Sequence, residues 1–399
     1  MKKKYFLINS LNTGGAERQA TLILNNIEFE KIFLIEDRVD FDLTKKLKID
    51  VIGQSFYSLF GPISKLLSLP LISAKLSKNI ERNSIVLSFL EMSNYVNIVS
   101  SILFKKHQAI ISLRTIPSMQ YSSGFGFIHR FLIRTLYHRA EKVLCNTQGA
   151  KKDLFQNYGV KNSQIEVIPN GYEIATIENL AQEPTGIDLV FKTVKTLCYV
   201  ARLTPGKGHI ELLSILKALK DKGAKLCLIL LGSGPTKRLI LKEAKRLSLE
   251  VTESTLNFSE SGIPDVILLN FQKNPYKFVS KATVFISPSK WEGLPNAIIE
   301  ALICNTLVVS SDCPSGPKEV LLPKNRRPAG ALLTTFSTEG PATKRQINLW
   351  ADKIISLLDN PAECQALTQA GKSRSLDFSK DSVIREWNKY LTQSDSPPP

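Results

Sequence analysis

The chain has 399 residues, 43% of them hydrophobic, which is long for one core and suits two domains of ordinary size. Lysine and arginine outnumber aspartate and glutamate by 52 to 36, and the net charge of +16 favours acidic membranes or phosphorylated ligands; no DNA- or RNA-binding pattern accompanies it, so nucleic acid is not expected as a partner. No run of 18 apolar residues is present to span a bilayer, the six cysteines lack C-x-x-C pairing and read as reduced core thiols, and the four histidines lack the spacing of a structural zinc site.

Met-Lys-Lys-Lys opens like a signal peptide, but the apolar stretch at 5–9 is too short and polar residues follow. It reads instead as a first strand over 4–9, with the protein expected in the cytoplasm. Gly14 and Gly15 then feed a helix over 16–27, whose Ala20, Ile23, Leu24 and Ile27 share one side. Paired glycines let a ligand approach backbone closely, and the helix amides behind them favour anions. An ordinary tight turn fits the same residues. Further strands are expected at 32–35, 84–89, 109–113, 142–146 and 165–168, with helical segments between several of them. Such alternation predicts a parallel sheet covered on both faces. At 125–139, Phe127, Phe131 and other apolar residues alternate with Arg130, Arg134 and Arg139. That segment suits a helix lying in a membrane interface, and equally a crossover helix with a basic outer side.

Residues 172–191, polar and interrupted by Pro184 and Gly186, read as a linker, so a first domain is expected over 1–180 and a second over 190–378. The second repeats the pattern: a strand at 196–201, a basic loop at 202–208 and a helix at 209–219. Arg202 and Lys207 bracket a proline-glycine turn, and a guanidinium with an ammonium suits a diphosphate, although a solvated loop would look alike. Strands follow at 225–231, 266–271, 283–287 and 307–311. The stretch 283–302 combines a buried strand, a turn and a helix start. Pro295 suits the first helical position, which aims the amides of Asn296 and Ala297 out of a helix N-terminus, toward an anion. Glu292 precedes that helix and Glu300 lies about one and a half turns inside it. Two carboxylates flanking an anion site are placed to accept hydrogen bonds from hydroxyls, and a ligand with phosphates and many hydroxyls is a nucleotide sugar. A solvated helix with an acidic first turn is the plain alternative. Helices over 348–359, 361–372 and 379–392 and a disordered tail at 394–399 complete the chain.

Glu292 and Glu300, set in S-x-W-E-G-L-P-N-A-x-x-E-A, resemble the E-x7-E segment of the retaining GT-B glycosyltransferases of family 4, or group 1. G-G-A-E-R at 14–18, I-E-V-I-P-N-G at 165–171, R-L-x-x-x-K-G at 202–208 and G-x-G-P at 232–235 are similar to that family's segments in the same order. The resemblance implies the GT-B fold, two doubly wound Rossmann-like α/β domains facing across a cleft, with the last helix packing back on the first domain. It implies a donor site in the second domain, with Glu300 on the ribose hydroxyls and Glu292 on the sugar hydroxyls. The diphosphate would fall to Arg202, Lys207 and the backbone at Gly293, Leu294 and Asn296. Gly14 and Gly15 would lie against the donor phosphates and the acceptor. Glu292, Arg202 and Lys207 are then the catalytic candidates, stabilising charge on the leaving diphosphate with no metal ion and no cofactor.

S-D-C-P-S-G-P-K-E-V-L at 311–321 is most like bacterial enzymes that add N-acetylhexosamines to lipid-linked oligosaccharides. A UDP-sugar donor, a glycan or polyprenyl-diphosphate-linked acceptor and peripheral contact with the anionic inner face of the cytoplasmic membrane follow as expectations. One departure is Arg114, near the place of a histidine found in many members; it either anchors an anionic group or caps a strand. The rivals are a catalytically silent nucleotide-sugar-binding subunit, a GDP-mannose-dependent mannosyltransferase and a non-hydrolysing epimerase of the same architecture.

Overall fold

Runs such as SIVLSF at Ser84–Phe89 and LCLILL at Leu226–Leu231 carry apolar side chains on both faces, and both strands are buried at every position. Strands of that kind belong inside parallel sheets covered by helices on both sides. A computed structural model describes the chain except residues 1, 13, 41–47, 54–65, 122, 123, 125, 254–258, 260, 261 and 393–399. It divides into two units: Met1–Gly171 with Lys380–Pro399, and Tyr172–Ser379.

In the first unit the strands are β1 (Lys4–Ile8), β2 (Lys31–Leu34), β3 (Ile49–Val51), β4 (Ser84–Phe89), β5 (His107–Leu113), β6 (Lys142–Cys145) and β7 (Ile165–Val167). They form one parallel sheet in the order β3-β2-β1-β4-β5-β6-β7. Alternate residues of β1 feed opposite cores, Tyr5 and Leu7 one and Phe6 and Ile8 the other, as the two-residue period of a strand requires. The helices include α1 (Gly15–Asn26), α2 (Leu69–Lys78), α3 (Glu91–Phe104) and α4 (Gly126–Leu136). α3 buries polar residues against the sheet. Its Asn97 donates to the carbonyls of Val86 (2.9 Å) and Ile110 (3.2 Å), and its Asn94 to that of Ser112 (3.0 Å), so these amides stay satisfied out of water.

The second unit holds β8 (Lys195–Val200), β9 (Leu226–Leu231), β10 (Val251–Thr252), β11 (Val266–Leu269), β12 (Val284–Ser287), β13 (Leu307–Ser311) and β14 (Ala331–Leu333), all parallel in the order β10-β11-β9-β8-β12-β13-β14. Residues 172–191, expected as a linker, are folded into this unit. They form α5 (Ile174–Ala181) and a short helix at Asp188–Thr193, and Tyr172, Ile177, Ala181, Ile187 and Val190 are buried in its core. The polar residues that suggested a linker are the outward face of these helices, and the division falls at Gly171 and Tyr172. α6 (His209–Asp221) and α7 (Asn296–Ile303) follow β8 and β12. The chain then returns to the first unit through α8 (Lys380–Leu391), whose Val383, Trp387 and Leu391 enter the core beside Phe89.

The strands that sequence periodicity passed over are β3, β10 and β14, of three, two and three residues at sheet edges, too short to show a period. The tail at 394–399 lies outside the described residues. Among those described, no helix is long and apolar enough to cross a membrane.

Candidate active site

β8 and β12 are neighbours in register, Val284 beside Leu197 and Phe285 beside Cys198, so the loops at their carboxyl ends emerge side by side. Ligands of open parallel sheets bind at such ends. The two loops are braced through backbone. The Gly206 carbonyl accepts the Lys290 amide at 2.9 Å, and a Cβ at Gly206 would stand 2.5 Å from the Trp291 indole nitrogen, so the indole would have to shift for any side chain there. Gly208 sits at φ +70°, where a Cβ would run into the Pro288 carbonyl oxygen. Glycine is therefore required there twice over, by its dihedral and by the contact.

This bracing brings two candidates together. The Lys207 ammonium donates to Glu292 Oε1 at 2.6 Å, and Ser289 Oγ donates to the same oxygen at 2.7 Å. The pair is partly sheltered, with the lysine side chain 24% and the glutamate side chain 13% exposed. Arg202 is exposed and makes no ion pair with a described residue. Behind them Tyr199 is buried, its hydroxyl 2.9 Å from the Lys207 carbonyl and 2.9 Å from Ser289 Oγ. Burial, then the Lys207 charge, pulls the His209 imidazole down to about 4. Burial, then the Glu292 charge, pushes the Cys313 thiol up to about 11 and the Tyr199 phenol upward. None of these three carries charge at neutral pH.

α7 begins one residue later than expected, with Pro295 as its N-cap. The Pro295 carbonyl accepts from Ile298 (3.1 Å) and Ile299 (3.3 Å), so the amides of Asn296 and Ala297 lie ahead of the helical ladder, the placement an anion requires. Asn296 Oδ1 accepts from the Tyr172 hydroxyl at 2.6 Å. Glu300 is buried on this helix and accepts from Tyr276 at 3.4 Å, while Gly293 and Leu294 lie half-buried in the turn before it.

The remaining candidates belong to the first unit. Gly14 caps α1 in extended backbone, and the Glu17 carboxyl folds over it, its affinity for a proton raised by burial. That carboxyl stands where an anion was expected beside Gly14 and Gly15. Arg114 leaves the end of β5, lies over the rings of Phe89 (4.6 Å) and Trp387 (5.3 Å) and donates to Asn170 Oδ1 at 3.1 Å. Burial pulls its guanidinium down to about 9, still charged at neutral pH. These contacts fasten it between a strand end and α8.

Ser289, Tyr199, Tyr172 and Tyr276 were not singled out in the sequence. Ser289, three residues before Glu292 in the S-x-W-E segment, was the one within reach of a motif. The arrangement as a whole pairs a cation with a carboxylate on loops that also carry an exposed arginine, and it suits a ligand bearing both phosphates and hydroxyls.

Residues 187–374 match the family model described as glycosyl transferases group 1, and residues 112–176 the model of glycosyltransferase family 4. The chain is 29% identical over 398 residues to the N-acetylgalactosamine-N,N'-diacetylbacillosaminyl-diphospho-undecaprenol 4-alpha-N-acetylgalactosaminyltransferase of Campylobacter jejuni, covering 98% of this chain and 100% of that one. Its fold is similar to that of HepE of Anabaena solved with UDP, with TM-score 0.73, 18% identity and 98% and 99% of the two chains covered. Sucrose-phosphate synthase of Thermosynechococcus elongatus gives TM-score 0.72 at 15% identity, with the same coverage of 98% and 99%.

Proposed function

Because the chain belongs to the GT-B glycosyltransferases of group 1, we propose that it moves a hexose or N-acetylhexosamine from a UDP-sugar to a glycan or polyprenyl-diphosphate-linked acceptor, with retention at the anomeric carbon and without a metal ion. The observation that carries this reading is the meeting of Lys207 with Glu292 at 2.6 Å, on the loop that also carries the exposed Arg202. Glu292 orients the sugar hydroxyls and Glu300 takes those of the ribose. Arg202, Lys207 and the backbone at Gly293, Leu294 and Asn296 hold the diphosphate. As the glycosidic bond breaks, negative charge gathers on the leaving phosphate oxygen, and cations fixed in advance lower the barrier without reorganising. The acceptor is assigned to the first unit, near Gly14 and Gly15. The name of the Campylobacter relative supports a lipid-linked acceptor in surface polysaccharide or glycan assembly, and the UDP complex of HepE supports the donor nucleotide.

A lipid-linked acceptor calls for work at a membrane face. α4 exposes Phe127 (58%) and Phe131 (63%) together with Arg130 and Arg134, three and four residues apart and so on one side of the helix. That stripe supports peripheral docking on the anionic inner face of the cytoplasmic membrane.

Thermal denaturation with a panel of UDP- and GDP-sugars tests the reading, since a ligand at 100 times its Kd adds about 2.7 kcal/mol of stability. A UDP-sugar is expected to raise Tm, with activity undiminished in excess EDTA. Stabilisation by GDP-mannose alone would transfer the site to a mannosyltransferase, and stabilisation by no sugar nucleotide would remove the donor assignment.

A further inference from the structure

We infer that Tyr199 is a positioning residue whose single hydroxyl sets Lys207 and Glu292 against each other, an inference that rests on the transferase reading of this site. The ring is held near His209 (5.2 Å) and edge-on to Phe285 (6.3 Å), and the residue is 2% exposed, so the hydroxyl has one place to be. From there it touches both loops: the Lys207 carbonyl at 2.9 Å on one, Ser289 Oγ at 2.9 Å on the other. Ser289 continues to Glu292 Oε1 at 2.7 Å, and that oxygen returns to Lys207 through the ammonium at 2.6 Å. The contacts close a ring.

Counting protons around this ring shows what it wants. The Lys207 carbonyl and the Glu292 carboxylate only accept, so three contacts lie between them and two hydroxyls supply two protons. While Ser289 donates to Glu292, the one proton of Tyr199 serves either the carbonyl or Ser289, and one contact goes without. A ligand hydroxyl that donates to Glu292 removes the shortage. Ser289 then turns its proton to Tyr199, Tyr199 keeps its own on the Lys207 carbonyl, and the ammonium has two further N–H groups to offer a phosphate. The ring thus favours a ligand that offers a hydroxyl to Glu292 and an anion to Lys207 together, which a sugar diphosphate does. Burial and the Glu292 charge keep the phenol protonated throughout.

Tyr199→Phe removes the hydroxyl and keeps the ring packing. The test is release of UDP from UDP-N-acetylgalactosamine or UDP-N-acetylglucosamine by hydrolysis, which needs no acceptor, alongside calorimetric binding of UDP. Tyr199→Phe is expected to lower kcat about tenfold, the scale of one hydrogen bond, with KM for the donor changed less than twofold. Placed on Lys207→Ala, it is expected to cost less than twofold further, because it acts through Lys207. A Tyr199 with a merely structural role would lower Tm and multiply its cost in both backgrounds. That result, or wild-type kcat in Tyr199→Phe, overturns the proposal. Should Tyr199→Phe fail to fold, Ser289→Ala breaks the same ring from the other loop and must show the same split of kcat from KM; its absence is equally fatal. Wild-type protein that neither binds UDP nor releases it from either donor overturns the UDP-sugar reading and this proposal with it.

Discussion

The two units carry the same kind of sheet, seven parallel strands among the described residues, yet they secure their carboxyl-end loops with different contacts. In the second unit main chain is braced against main chain: Lys290 donates to Gly206, and Gly208 lies against the Pro288 carbonyl. In the first unit main chain joins the loops after β1 and β2, Leu11 donating to Arg38 (2.9 Å) and Asp40 to Leu11 (2.8 Å), and side chains fasten the loops to the elements around them. Asn9 Oδ1 accepts from the amide (3.2 Å) and hydroxyl (2.7 Å) of Ser93, Gln19 pairs with both backbone groups of Gly171 (3.0 and 2.7 Å), and Arg114 lies over Phe89 and Trp387. Backbone bracing holds the side chains of the candidate site on a rigid base and tolerates few residue types.

The sharpest way to break this contrast is at two glycines with the same dihedral. Gly208 (φ +70°) meets the Pro288 carbonyl, whereas Gly159 of the first unit (φ +71°) has nothing within 4 Å of where a Cβ would stand. Gly208→Ala combines a strained dihedral with a backbone collision and is expected to cost about 4 kcal/mol, against about 1 kcal/mol for Gly159→Ala. Denaturant unfolding measures both, and equal losses would abolish the distinction.

Next in size is acid stability, where the units should behave alike. Each buries one histidine whose pKa falls to about 4: His107 by burial, against a favourable bond to Asn97, and His209 by burial and then Lys207. The folded values lie below the unfolded one of about 6.5, so the unfolded chain binds the extra proton. This stability is present above about pH 6.5 and lost as pH falls toward 4, on the order of 3 kcal/mol for each. Calorimetry of His209→Gln is expected to show a shallower fall of Tm across that window. An unchanged slope would mean that His209 is charged in the folded protein.

Lys207→Ala, which spares the backbone brace and removes the charge, is expected to lower turnover about a hundredfold, the scale of one transition-state donor. A rise in KM alone would mean that Lys207 only binds. The smallest effect belongs to the surface of the first unit. Arg130→Glu with Arg134→Glu is expected to weaken sedimentation with anionic liposomes about tenfold or more, each basic residue near such a surface being worth about 1 kcal/mol. Undiminished binding would move the docking surface elsewhere.

The same contrast explains what could be read from the sequence. R-L-T-P-G-K-G and W-E-G-L-P-N are written in glycine and proline because the main chain there has almost no latitude, so the second unit's site was visible as spacing. The pairing of Lys207 with Glu292, 85 residues away, was foreseen only as two groups near one pocket; the bond itself depends on β8 and β12 being neighbours. Tyr199 was hidden because an aromatic residue near the end of a buried strand reads as core, and its hydroxyl matters only once Ser289 is beside it. At Gly14 and Gly15 the glycines were visible, but the Glu17 carboxyl folded over them was not, since nothing in the spacing says which way a first-turn glutamate turns. The linker was misplaced for a similar reason: a polar stretch with one proline and one glycine looks the same as the outer face of two short helices.

The packing of α8 on Phe89 bears on how the protein is made. Translation delivers β1 to β7 first, yet part of the hydrophobic wall of their sheet, Val383, Trp387 and Leu391, is encoded more than two hundred residues later. The second unit, uninterrupted from Tyr172 to Ser379, contains the whole of its own core, whereas the first waits for α8. A chain that stops short of α8 therefore leaves Phe89 and the Arg114 stack open to water.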